Sequence, residues 1–151
     1  MTALRFVNVF AAGIAAGGQL IVLVAYARSL AALPSVEIAR LHSLFHPPTH
    51  VWMMRTTIVG AATAIAIAAI DDPGWNAPTI LVLAGVPGAA LQAVLSRVRV
   101  VPMSDEMIAW QETGVPTDYR AFLRSWTRLH GGRVLGAVEA FTCYLLAALL
   151  S

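Results

Sequence analysis

An all-α integral membrane protein, built as a four-helix bundle, is the fold class this sequence predicts. Two observations carry it: four long apolar runs, and the confinement of nearly every charge to the segments between them. The spans fall near residues 6–27, 51–70, 79–96 and 133–150 of one 151-residue domain. A helix needs roughly 20 apolar residues to cross a bilayer's hydrocarbon core. Lipid leaves backbone groups nothing to bond to, so spans are helices or closed barrels, and these runs do not alternate as barrel strands do. Hydrophobic residues are 58% of the chain and charged ones 12%, outside the usual soluble range.

The first span, Phe6 to Ala27, is 22 residues without a charge. With Arg5 before it and Ala25-Tyr26-Ala27 near its end it imitates a secretory signal, but it is longer than a signal core and is expected to be a retained span. The second, Thr56 to Ile70, reaches full length only if Val51 to Met54 extend it past Arg55, whose side chain can snorkel. The third is Thr79 to Leu95, and the fourth Val134 to Leu150.

Nine of the ten arginines, Arg28, Arg40, Arg55, Arg97, Arg99, Arg120, Arg124, Arg128 and Arg133, belong to loops one and three and their flanks. Only Arg5 is on the other side, where loop two (Asp71 to Pro78) is acidic. The positive-inside rule then puts loops one and three in the cytoplasm and both termini outside. Lipid headgroups are the ordinary partners for such a charge pattern; nothing in it calls for nucleic acid.

Loops one and three predict short amphipathic interfacial helices. Ser35 to Phe45 follows Pro34, and Pro47-Pro48 should end it. Asp105 to Trp110 forms a second, closed by Gly114 and Pro116. Thr117 to Leu129 forms a third, with Thr117 as cap and Asp118 in the first turn. Gly13 with Gly17, Gly132 with Gly136, and Gly60 with Ala64 have the small-xxx-small spacing that lets helix backbones approach. Packing within the monomer is expected from them, with a homo-oligomer left open; Pro87-Gly88 should kink span three.

The polar residues at membrane depth are the candidate site. Glu139 lies about a turn and a half into span four, where an ionised carboxylate is expensive, so it is expected to face the interior with Arg55 or Asn8 as partner. Asn8, Gln19 and Gln92 are candidates for cross-linking helices. His42 and His46 are four apart, a spacing that aligns two imidazoles for one metal, and His130 reaches the same membrane face. Those three are the ligands to expect if copper, iron or haem iron is bound; Pro47-Pro48 should take His50 off that helix. The single Cys143, within span four, excludes an internal disulfide and a cysteine-based metal site.

From Val101-Pro102 the chain continues through Trp110, Gly114, Pro116 and Asp118 to Trp126, His130, Arg133, Ala140 and Phe141. This block resembles the last half of the small four-helix membrane family that includes fungal anthrone oxygenases and many uncharacterised bacterial proteins. There a Trp, a His or Asn four residues on, and an Arg three further open the last span; Trp126, His130 and Arg133 match. Leu33-Pro34 and Leu41-His42 to Pro47 resemble the family's first loop. The family's asparagines flanking Val-Pro are replaced here by Arg99-Val100 and Ser104. The resemblance implies a bacterial cytoplasmic membrane location and oxidation of a lipophilic polycyclic phenol or anthrone-like substrate by dioxygen, without a cofactor or with a histidine-ligated metal. His130 or His42 would be the base, and Arg133 and Trp126 would hold the enolate. Glu139 is a further candidate for the site on the separate ground that an intramembrane carboxylate is costly and so often functional. The other expectation is a non-catalytic membrane subunit or lipophile-binding partner, in which Glu139 and Arg133 are structural.

Overall fold

The computed structural model describes residues 2–70 and 76–151. Most of the acidic loop two, residues 71–75, lies outside the described residues. All regular structure among the described residues is helical: α1 (Thr2–Ile21), α2 (Ala27–Ala32), α3 (Ser35–Ile70), α4 (Ala77–Leu95), α5 (Val101–Thr113) and α6 (Tyr119–Leu149). Two π-helical turns, Val22–Tyr26 and Ser96–Val100, join α1 to α2 and α4 to α5 without a break. The chain therefore forms four continuous rods, Ala3–Ala32, Ser35–Ile70, Ala77–Thr113 and Tyr119–Leu149, each long and apolar enough to cross a membrane.

The interfacial helices expected in loops one and three are not separate elements but extensions of the spans. Ser35 to Phe45 is the first part of α3, which runs straight through Pro47 and Pro48. Proline's fixed φ is helical, so two prolines cost ladder bonds, to the carbonyls of Ser43 and Leu44, rather than helical shape. The Thr49 hydroxyl donates to the Phe45 carbonyl in the same turn. His50 consequently stays on the helix. Asp105 to Trp110 belongs to α5, which ends where Gly114 takes φ 83° and its N–H reaches back to the Trp110 carbonyl. The third expected helix is the start of α6; its cap is Asp118 rather than Thr117, and Asp118 makes no side-chain capping bond. α4 starts as its sequence dictates: Asn76 Oδ1 accepts from the Thr79 N–H at 2.9 Å, with a proline in the first turn.

The rods close into a ring in which α1 packs on α3, α3 on α4, α4 on α6 and α6 on α1. The closest approach is between α4 and α6. A Cβ placed on Gly88 would lie 2.5 Å from the Gly136 carbonyl oxygen, and one on Gly136 would lie 2.5 Å from that of Gly88. Gly85 opens room for the Tyr144 ring in the same interface. The Gly13–Gly17 pair is less uniform: a Cβ on Gly13 would meet the Phe141 ring, while one on Gly17 would meet open space.

The interior has two apolar layers. Small residues and Ile67, Val82 and Tyr144 fill the half nearer loop two. Tyr26, Leu30, Ile38, Met107, Trp110 and Trp126 fill the half nearer loops one and three. Buried polar residues hold the rods in register: Asn8 Nδ2 donates to the Gly60 carbonyl at 2.7 Å and to Thr63 Oγ1 at 3.1 Å, and Gln92 Nε2 donates to Thr57 Oγ1. The exterior is apolar, with Phe6, Phe10, Ile14, Ile58, Ile65 and Leu135 exposed on the rod faces.

Candidate functional site

The last two turns of α3 before span depth, the π turn after α1, and the first half of α6 converge on a buried aromatic and histidine cluster. The π turn sets Tyr26 there: the Ala27 N–H reaches back to the Val22 carbonyl, adding a residue to the turn. Such turns are frequent at functional sites. Tyr26 Oη lies 2.8 Å from His42 Nδ1, and its ring stacks on Phe45 with centroids 4.1 Å apart. Trp126 stands edge-on to His42 at 5.7 Å, stacks on His130 at 5.3 Å, and donates from Nε1 to Ser104 Oγ at 3.0 Å.

Spacing on α6 explains the second half of the cluster. Trp126, His130 and Arg133 recur at four and three residues and so share one helix face, and all three are buried. Arg133 Nη1 lies 3.3 Å from His130 Nδ1, and His130 Nε2 lies 3.2 Å from the Gln19 carbonyl. A guanidinium is only a donor, so Nδ1 accepts and Nε2 carries the proton that Gln19 receives. His130 is thereby a neutral, oriented imidazole with both nitrogens engaged.

Arg133 is 4% exposed, and among the described residues no carboxylate pairs with it; its Nε has no partner. The Gln19 side-chain amide, fully buried, has neither its oxygen nor its nitrogen satisfied, and His42 Nε2 is also unpartnered. Buried polar groups are nearly always bonded, so these orphans are groups that a bound water or a polar ligand would satisfy. A narrow crevice of about 20 Å³, room for one small molecule, reaches this level between Val22, Tyr26, His46, His50, Trp126 and Arg133.

The histidines of α3 form a ladder. His42 and His46 stack with centroids 5.0 Å apart, and His46 and His50 with centroids 5.4 Å apart, because the helix continues through both prolines. Near-parallel rings do not aim their nitrogens at one point, since a metal bonds in the plane of each imidazole. With His130 using both nitrogens, the expected His42–His46–His130 metal set is not assembled. Among the described residues no group of three His, Cys, Asp or Glu side chains is placed to hold a metal ion.

Glu139 is not part of this cluster. It is exposed, and its carboxylate lies beside the Gly88 backbone on the α4 side of α6. The expected partners are absent too: Arg55 is exposed, and Asn8 is bonded to Gly60 and Thr63. Six residues from Arg133, Glu139 points about 120° away at 100° per residue, so one face of α6 cannot present both.

Sequence reasoning missed Tyr26, Gln19 as a backbone acceptor for His130, and Ser104. For Tyr26 the signal was an aromatic residue at the end of span one, at the depth of Trp126; for Ser104 it was its place after Val101-Pro102, where the resembled family has an asparagine. Fold and site together define a four-helix bundle of membrane-spanning length with a buried, anion-deficient cluster of arginine, histidine and aromatic residues. No known protein-family model, curated protein or solved structure matches the chain.

Proposed function

We propose that the chain is an integral membrane oxygenase that deprotonates a lipophilic phenol or anthrone-like carbon acid, holds the resulting anion, and oxidises it with dioxygen. The observation behind this reading is Arg133: a buried guanidinium with no carboxylate, a free Nε, and a crevice in front of it. An enolate or phenolate oxygen is the anion that would complete it, through charge-assisted hydrogen bonds.

The remaining roles follow from which groups are occupied. His130 has no nitrogen to spare and does not line up as the base; it orients Arg133. His42 engages Tyr26 through Nδ1 only, but it does not line the crevice, so its open Nε2 is not presented there. His46 lines the crevice and makes no hydrogen bond among the described residues, so it is the crevice histidine with ring nitrogens open to take the proton. The activated CH₂ loses a proton to His46, and the carbanion adds to dioxygen as a peroxide. That peroxide takes the proton back and eliminates water, leaving the ketone of a quinone. Carbon is oxidised, one oxygen atom enters the product and the other leaves as water, so no external reductant is needed. Trp126 and Tyr26 supply the aromatic walls.

The crevice holds about one water-sized molecule, so a polycyclic substrate requires its α3 wall, Phe45 to His50, to part. That wall contains the two prolines, which remove two ladder hydrogen bonds from α3 and so lower the cost of local opening there. The membrane location supplies such a substrate, with loops one and three cytoplasmic and both termini outside.

Purified protein supplied with an anthrone in detergent should consume oxygen and form the corresponding anthraquinone in equal molar amounts. Absence of both, with the protein folded, would end the oxygenase reading and favour a non-catalytic lipophile-binding subunit.

A further inference from the structure

A second concavity lies outside the histidine cluster. A groove of about 580 Å³ runs between the α1–α2 rod and α6, floored by Leu23, Ala27, Ala31 and Leu123 and rimmed by Arg28, Arg120, Arg124 and Arg128. Arg120, Arg124 and Arg128 recur at four-residue spacing and form one charged face of α6, with Arg28 across from them. Like charges at this spacing repel and destabilise a helix. No aspartate or glutamate lines the groove to offset them. A second large groove, between the start of α3 and the end of α5, has Arg40 as its single arginine. Four arginines at one apolar groove are therefore a local feature and not merely the general positive charge of this end of the bundle.

We infer that this groove is a binding site for an anionic diacyl phospholipid, its phosphate held by Arg28, Arg124 and Arg128 and its acyl chains lying on the rods toward the bilayer centre. The inference rests on the membrane reading above. The charge asks for an anion with several acceptor oxygens, which arginine forks match. The floor asks for hydrocarbon. Apolar surface continues from the floor in the direction acyl chains would take: Leu20 and Val24 are exposed on α1 and its π turn, and Leu135 is exposed on α6. Between Leu135 and the arginines, Gly131 leaves open space where a side chain would otherwise stand. A small soluble phosphate would meet the arginines but leave the apolar floor and this extension uncovered, so the lipid is the better fit.

The test uses full-length protein reconstituted into vesicles of phosphatidylcholine containing phosphatidylglycerol, re-extracted in mild detergent, with retained phospholipid read by native mass spectrometry. Wild-type protein should retain phosphatidylglycerol in preference to phosphatidylcholine. Arg124→Gln combined with Arg128→Gln should weaken that retention roughly tenfold or more, given the usual strength of an arginine near an anionic lipid surface. Arg97→Gln combined with Arg99→Gln, two exposed arginines outside the groove, should leave it unchanged. Equal loss in both double variants, or no preference in wild type, would overturn the site. Release of the lipid by inorganic phosphate alone would overturn the diacyl occupant. Protein that never enters the vesicles, recovered after alkaline washing in the soluble fraction, would instead overturn the membrane reading and the groove with it.

Discussion

Tyr26 and His42 meet at 2.8 Å between the phenol oxygen and Nδ1, in the interior of the bundle where the π turn of the first rod faces the third helix. Neither residue has another polar partner among the described residues. Tyr26→Phe removes one half of the pair and leaves His42 Nδ1 buried and unbonded. The expected cost is about 1–3 kcal/mol, the desolvation of an orphaned group. Thermal unfolding in detergent followed by circular dichroism measures it; an unchanged midpoint would mean the bond contributes nothing.

The α4–α6 contact rests on two glycines. Gly88→Ala or Gly136→Ala drives a methyl group against the backbone of the other helix, which has no rotamer with which to yield. Each substitution should lower stability by at least about 1–3 kcal/mol, the range for overpacking. Gly17→Ala, where the added methyl meets nothing, should lie within error of wild type or slightly above it. Equal effects at all three positions would show that the tight approach is not at Gly88 and Gly136.

Arg133 separates stability from function. Replacing a buried, uncompensated cation by an apolar side chain of similar length removes a desolvation cost, while His130 Nδ1 loses its donor. Arg133→Met should therefore melt at the same temperature as wild type or higher, because a buried charge without a counter-ion carries a desolvation penalty that the apolar side chain does not. Under the oxygenase reading the same variant should be inactive. A strongly destabilised Arg133→Met would instead make the arginine a structural element.

Topology follows from nine arginines against one. A reporter fused after Ser151 should read as external, and one inserted near Gly114 should read as cytoplasmic. Reversal of the two would refute the orientation drawn from the charges.

Much of this architecture was legible in the residues, and the exceptions have physical causes. Four apolar runs predicted the four rods because length and composition leave a long apolar segment few alternatives. Trp126, His130 and Arg133 were legible as a group because four- and three-residue spacing on a helix fixes a common face. Pro47-Pro48 misled: proline signals a stop through its missing N–H, yet its φ suits a helix already held on both sides by packing, so α3 continues and His50 joins the ladder. Tyr26 was hidden because a π turn, which no residue of Val22 to Tyr26 announces, decides where it points. Glu139 was expected inward with a partner from another span, because exposure to lipid is costly and its angular offset sets it on another face than Arg133. Close approach of Gly88 and Gly136 then brought that face against α4.

The central claim is that Arg133 holds the anion of a lipophilic carbon acid beside His46. It is tested most directly without turnover, by mixing protein with an anthrone under strict exclusion of oxygen and recording the absorption spectrum. Wild-type protein should produce the red-shifted band of the ionised anthrone, saturable at one equivalent, while Arg133→Met and His46→Ala should leave the neutral spectrum in place. A neutral spectrum with wild-type protein, or the same ionised band in Arg133→Met, would contradict the account.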